Sequence, residues 1–179
     1  MIKIIEQVKK NLTKQDYLPK RSIDGVKILE LKRFLGSDGS FNELVRIKNG
    51  QIIIPEELKG FKIKQINHSR VVPGVIKAWH CHQKQDEIWF IHPETKVIVG
   101  LLDIRENSKT KRLSMKLSLG DGKAQLVYIP RGVAHGLSNP YQKEVTMTYL
   151  VNNWFDGSDE WRLPDDFLVG KEFWEIEKG

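Results

Sequence analysis

The chain has one cysteine, Cys81, which excludes an internal disulfide framework and fits a reducing cytoplasm. No apolar run approaches the ~18 residues a membrane-crossing helix needs, so no membrane partner is expected. The opening Met1-Ile2-Lys3-Ile4-Ile5-Glu6 breaks its apolar residues with charge and does not read as a secretory leader. Internal repeats, low-complexity stretches and linkers are absent. Neither sign of charge dominates: 29 Lys and Arg face 23 Asp and Glu, a net +6. The lysines are scattered rather than clustered, so no nucleic-acid partner is expected and a small phosphorylated molecule suits the charge better. What remains is 179 residues, 40% hydrophobic, enough for one domain around one core.

Ile2, Ile5, Val8 and Leu12 recur at helical spacing, which predicts a short amphipathic helix in an arm over 1–20. From 21 to 179 the pattern predicts a single domain. Runs 26–31, 41–47, 61–66, 71–79, 87–91, 96–104, 111–119, 125–129 and 144–151 alternate apolar with polar or are short and apolar. Glycines and prolines separate them, the signature of an all-β sandwich or barrel. The tail from Trp154 is aromatic and acidic by turns and is expected to pack as a flap. Its acids, Asp156, Asp159, Glu160, Asp165 and Asp166, read as a solvated surface.

Two segments carry metal-ligand spacing. In the first, Gly74 is followed by His80, His82 and Glu87. Side chains two apart on a strand share a face, so His80 and His82 project together and Cys81 points away into the packing layer. Glu87 follows a short turn and can return a carboxylate to the same face. In the second, Pro130-Arg131-Gly132-Val133-Ala134-His135 delivers another imidazole from a different strand. His80, His82, Glu87 and His135 are together a donor set that can hold a divalent metal, Zn, Fe, Mn or Ni.

The two segments resemble the paired motifs of the cupin superfamily, G-x5-H-x-H-x4-E and P-x-G-x2-H-x3-N, the latter completed by Asn139. The resemblance implies a double-stranded β-helix barrel of jelly-roll type, with a short N-terminal helix and an aromatic C-terminal tail added. A wider set of anchors is similar to the dTDP-4-dehydrorhamnose 3,5-epimerases. They are Asp24-Gly25-Val26, Gly39-Ser40-Phe41-Asn42-Glu43, Gln65-Ile66-Asn67-His68-Ser69-Arg70, 74–80, 102–108 and 127–136.

That family resemblance implies epimerisation of a dTDP-4-keto-6-deoxyhexose by proton abstraction next to the C4 ketone. His80 matches the base and Tyr149 the tyrosine that returns the proton, with Tyr141 second. Glu43, Gln65 and Asn67 match pyrimidine and sugar contacts. Lys77 stands at a diphosphate-binding arginine, and Arg131 in the turn before His135 can touch phosphate. The family requires no cofactor and pairs as a homodimer by sheet extension. Three positions differ from its pattern: Asp38 replaces a phosphate-binding arginine, Glu87 aligns with the enolate-steadying lysine, and His82 replaces a glutamine. The C-terminal segment that supplies the histidine's aspartate partner is missing. Two alternatives follow from these differences: a metal-dependent cupin of other chemistry (isomerase or dioxygenase), and a non-catalytic sugar-nucleotide binder.

Overall fold

The computed structural model describes residues 2–14 and 21–177. Among the described residues, fourteen strands follow one four-residue α-helix, α1 (Glu6–Lys9). The first five are β1 (Lys27–Glu30), β2 (Arg33–Gly36), β3 (Gly39–Asn42), β4 (Arg46–Lys48) and β5 (Gln51–Ile54). Next come β6 (Gln65–Val71), β7 (Ile76–Cys81), β8 (Glu87–Ile91), β9 (Lys96–Asp103) and β10 (Ser114–Gly120). The last four are β11 (Gln125–Ile129), β12 (Val133–Ser138), β13 (Val145–Val151) and β14 (Trp161–Arg162).

Two five-stranded antiparallel sheets face each other, in the orders β1-β11-β8-β13-β6 and β10-β9-β12-β7-β14. This is the jelly-roll, cupin-like architecture that the strand pattern and motifs imply. β2-β3 and β4-β5 are separate hairpins.

Period-two alternation sorts the apolar side chains into three layers. Trp89 and Ile91 of β8, Val97, Val99 and Leu101 of β9, and Val133 and Leu137 of β12 fill the space between the sheets. The alternate residues Ile88 and Phe90 face outward and are covered by Leu44, Ile52, Leu58, Phe61 and Ile63 from the chain before β6. On the other sheet Trp79, Cys81, Ile98, Leu102 and Ala134 face outward under Trp174 and Phe173 of the tail. β8 is therefore buried at every position, which explains why its sequence is a short apolar run rather than an alternation. Trp79 and Trp174 meet with ring centroids 4.7 Å apart, and Gly100 leaves the room: a Cβ there would lie 2.5 Å from the Trp174 ring.

The N-terminal arm departs from its expected helix. Only Glu6–Lys9 is helical, Ile2, Ile5, Val8 and Leu12 are all exposed, and residues 15–20 lie outside the described part. So short a helix, with no surface to bury its apolar side against, has little beyond a Glu6–Lys9 ion pair of 2.7 Å to hold it.

Candidate active site

A cavity of about 680 Å³ opens between the two sheets, within the size range of small-molecule sites. β7 sends His80 into it and His82 follows directly after that strand, β12 sends His135, and β8 sends Glu87 and Trp89. The shared face follows from register: His80 is paired across strands with His135, and the outward partners Trp79 and Cys81 sit under the tail.

His80 is half-buried and its Nδ1 lies 2.7 Å from Glu160 Oε1. Glu160 stands just before β14, whose Arg162 is the cross-strand neighbour of His80. The carboxylate accepts the Nδ1 hydrogen, which leaves Nε2 with the lone pair and fixes the ring. A histidine so held is a proton acceptor facing an accessible cavity.

Behind it lies a buried polar floor. His82 Nε2 is 3.2 Å from Glu87 Oε1, and His135 Nε2 is 3.6 Å from Glu87 Oε2. Gln85 and Trp89 donate to the same carboxylate. Burial alone would raise the Glu87 pKa, but His135, His82 and Trp89 outweigh it and hold the group at about 2. Burial likewise opposes charge on His82; its hydrogen bond to Glu87 prevails and the imidazole titrates above its ordinary value. His135, the more deeply buried, is pushed down by desolvation, with Glu87 opposing.

The other expected site residues divide. Gln65, Asn67 and Lys77 line the cavity, as does Tyr149 from the sheet opposite His80. Gln65 Nε2 donates to Asn67 Oδ1 at 2.7 Å, and Lys77 Nζ donates to the Arg70 carbonyl at 3.2 Å. Burial raises the Tyr149 pKa first, and Glu87 and Glu160 add to it, so its hydroxyl keeps its proton near neutrality. Arg131 is elsewhere, bound bidentately to Asp86 at 2.9 Å for each contact. Glu43 pairs with Arg46 at 2.9 and 3.0 Å and is not part of the cavity wall. Tyr141 sits under Lys96, also away from the cavity.

The acidic tail corrects its expected role. Asp159 is buried, and its carboxylate accepts from the backbone N–H groups of Gln83 and Lys84 at 2.9 and 3.0 Å, pinning the turn that carries His82. Glu160 supplies the carboxylate partner of His80 that the sequence reading left without a source.

A family model for dTDP-4-dehydrorhamnose 3,5-epimerase matches residues 20–169. The chain belongs to that family.

Spore coat polysaccharide biosynthesis protein SpsL of Bacillus subtilis (strain 168) is 38% identical over 151 residues, 83% of this chain and 94% of that protein. The probable low-salt glycan biosynthesis epimerase Agl13 of Haloferax volcanii is 30% identical over 112 residues, 62% of this chain and 72% of that protein. Among solved structures, dTDP-6-deoxy-D-glucose-3,5-epimerase RmlC from Legionella pneumophila, in complex with dTDP-4-keto-L-rhamnose, superposes with a TM-score of 0.74 at 23% identity. The match covers 88% of this chain and 82% of that one. Members of the dTDP-4-dehydrorhamnose 3,5-epimerase family are isomerase-type enzymes, and so is this chain. Their chemistry is independent of a cofactor.

Sequence reasoning missed Glu160, Arg162, Gln85 and Phe155, all of which line the cavity. Glu160 and Arg162 lie two apart, the spacing of one strand face, but β14 is only two residues long. Its pairing with β7, which brings both beside His80, is a contact about eighty residues distant and leaves no local mark.

Proposed function

We propose that the chain epimerises a dTDP-4-keto-6-deoxyhexose by moving protons at carbons beside the C4 ketone. His80 Nε2 takes the α-proton while Glu160 holds the resulting imidazolium; Tyr149, on the opposite sheet, returns a proton to the other face. Gln65 and Asn67 contact sugar and base, and Lys77 and Arg162 stand at the wall as cations for the diphosphate. The observation that carries this reading is the His80–Glu160 pair of 2.7 Å opening onto a cavity that Tyr149 also lines. A non-catalytic binder would have no need for a carboxylate-oriented imidazole there, and the family match does not favour a cupin of unrelated chemistry.

The chain acts as a homodimer in this reading, supported by exposed Phe34, Leu35 and Phe41 on the β2–β3 hairpin and by the open edge of β6. Cys81 is a buried free thiol, as suits the cytoplasm.

Incubation with dTDP-4-keto-6-deoxyglucose in D2O tests the reaction. The sugar should gain deuterium beside the ketone, visible by NMR and mass spectrometry, with an epimer appearing. No deuterium and no epimer would overturn the proposal for that substrate.

A further inference from the structure

A second cavity, of about 390 Å³, lies on the outer face of the β1-β11-β8-β13-β6 sheet. Its size too is that of a small-molecule site. Phe61 and Tyr128 of β11 form its apolar side, their rings perpendicular with centroids 6.1 Å apart. Lys27 of β1, and Lys59 and Lys62 between β5 and β6, bring ammonium groups to it. Among the described residues none lines both this cavity and the catalytic one. We propose that this second cavity binds the phosphate monoester of a small molecule, separately from the epimerase substrate.

Three observations carry the proposal. The first is positive charge without a counter-charge. Among the described residues, Lys62 Nζ has no hydrogen bond or ion pair. Lys27 Nζ donates to the Glu57 backbone carbonyl at 2.5 Å, which leaves its charge unmatched. Lys59 pairs with Glu56 at 2.8 Å, but both side chains are exposed and such pairs are worth little. Three ammonium groups against the Glu57 carboxylate leave an excess. A phosphate monoester, at about −1.5 to −2 near pH 7, matches it.

The second is a fixed inner wall. Asp86 is buried and accepts from two guanidinium nitrogens of Arg131 at 2.9 Å each and from Asn152 Nδ2 at 2.7 Å. Burial would raise its pKa, but Arg131 outweighs burial and holds it below the ordinary value. Its charge is therefore met from within the protein and does not draw on the lysines. Asn152 Oδ1 accepts in turn from the Asp86 backbone N–H at 2.8 Å, so the wall is set before any ligand arrives.

The third is the mixture of surfaces. Burial first, and the Asp86 carboxylate next, raise the Tyr128 pKa, so its hydroxyl stays protonated near neutrality. With Phe61 it offers the ring of a ligand an apolar face beside the cations. A merely solvated rim accounts for less. Lysines left to solvent repel one another and spread, whereas two separate segments here bring three to one opening beside an aromatic pair.

The test is ligand binding to the full-length protein, followed by calorimetric titration and by amide NMR shifts. The probes are dTMP and glucose 1-phosphate, which share the phosphate and differ in what carries it. At least one should bind and shift the amides of Phe61, Lys62 and Tyr128. Its affinity there should fall about tenfold or more in Lys62→Glu and in Lys27→Ala. Both lysines are exposed, so both variants should melt as wild type does. Lys77→Ala, in the catalytic cavity, should leave these shifts unchanged. Tighter binding of dTMP would identify a nucleotide as the occupant, and tighter binding of glucose 1-phosphate a sugar phosphate.

Binding of neither probe at these amides, or undiminished binding in both lysine variants, would overturn the site. So would loss of the same shifts in Lys77→Ala. Neither failure touches the proton-transfer proposal, because deuterium uptake into the keto sugar is scored separately.

Discussion

Two buried carboxylates, Asp103 and Glu87, sit in the same double sheet and have opposite company. Asp103, at the end of β9, receives Arg105 Nε at 2.8 Å and a second guanidinium nitrogen at 2.9 Å, with Ser108 and Thr110 hydroxyls completing its shell. Burial would raise its pKa, but these donors outweigh burial and hold it well below the usual carboxylate range. Every lone pair is used, a full counter-charge is present, and the group does not line the cavity. Glu87 is equally buried but meets imidazoles and neutral donors at the end of an open cavity. An arginine-saturated carboxylate fixes a fold. A carboxylate faced by histidines at the end of a cavity has partners that can gain and lose protons, which suits a site rather than a strut.

The largest expected effect that sharpens this contrast is on His80, which stands in front of the Glu87 floor and faces the cavity. His80→Asn should lower kcat by ~10³-fold or more while leaving the thermal melt unchanged. Steady-state kinetics with calorimetry on the same sample checks both halves. A variant that is equally active would break the contrast at once.

Asp103→Asn should do the reverse. Removing one partner of a buried pair costs about 3 kcal/mol of folding stability. Urea denaturation should show that loss, with kcat unchanged below the new melting temperature. If kcat falls and stability does not, the two regions have been assigned the wrong way round.

Glu160→Gln should cost less than loss of His80, ~10–100-fold in kcat, because the base remains but its orientation and charge support weaken. Glu160→Asp, which keeps the carboxylate, should recover part of it. A Gln variant with wild-type kcat would remove Glu160 from the site.

The smallest effect is on acid stability. The folded Asp103 pKa is depressed, so its contribution is full above its unfolded value near 3.8 and is lost as pH falls below that towards the folded value. Urea midpoints between pH 5 and pH 2.5 should therefore fall more steeply for wild type than for Asp103→Asn. Parallel lines would contradict the saturated-shell account.

Much of this was legible in the sequence, for a physical reason. The short apolar runs of β9 and β12 and the His-x-His spacing at the end of β7 are local features, so strands, a sandwich or barrel, and inward histidines follow from spacing, while the cupin barrel itself followed from the motif resemblance. Trp79 and Cys81 turn outward because His80 and His82 turn inward. What escaped depends on contacts between distant segments. Nothing near Glu160 distinguishes it from Asp165 or Asp166, and only the β14–β7 pairing makes it a histidine's partner. The bidentate pair of Arg131 with Asp86, 45 residues away, likewise has no local mark. The helix expected over the arm failed for want of a surface to pack on, which helical periodicity cannot report.

One measurement reaches the central claim directly: deuterium exchange into dTDP-4-keto-6-deoxyglucose by the His80→Asn variant, with its fold checked by calorimetry. The account predicts that exchange disappears although the variant is folded, because the proton is moved by His80 and not by the floor. Exchange at the wild-type rate from that variant would contradict it.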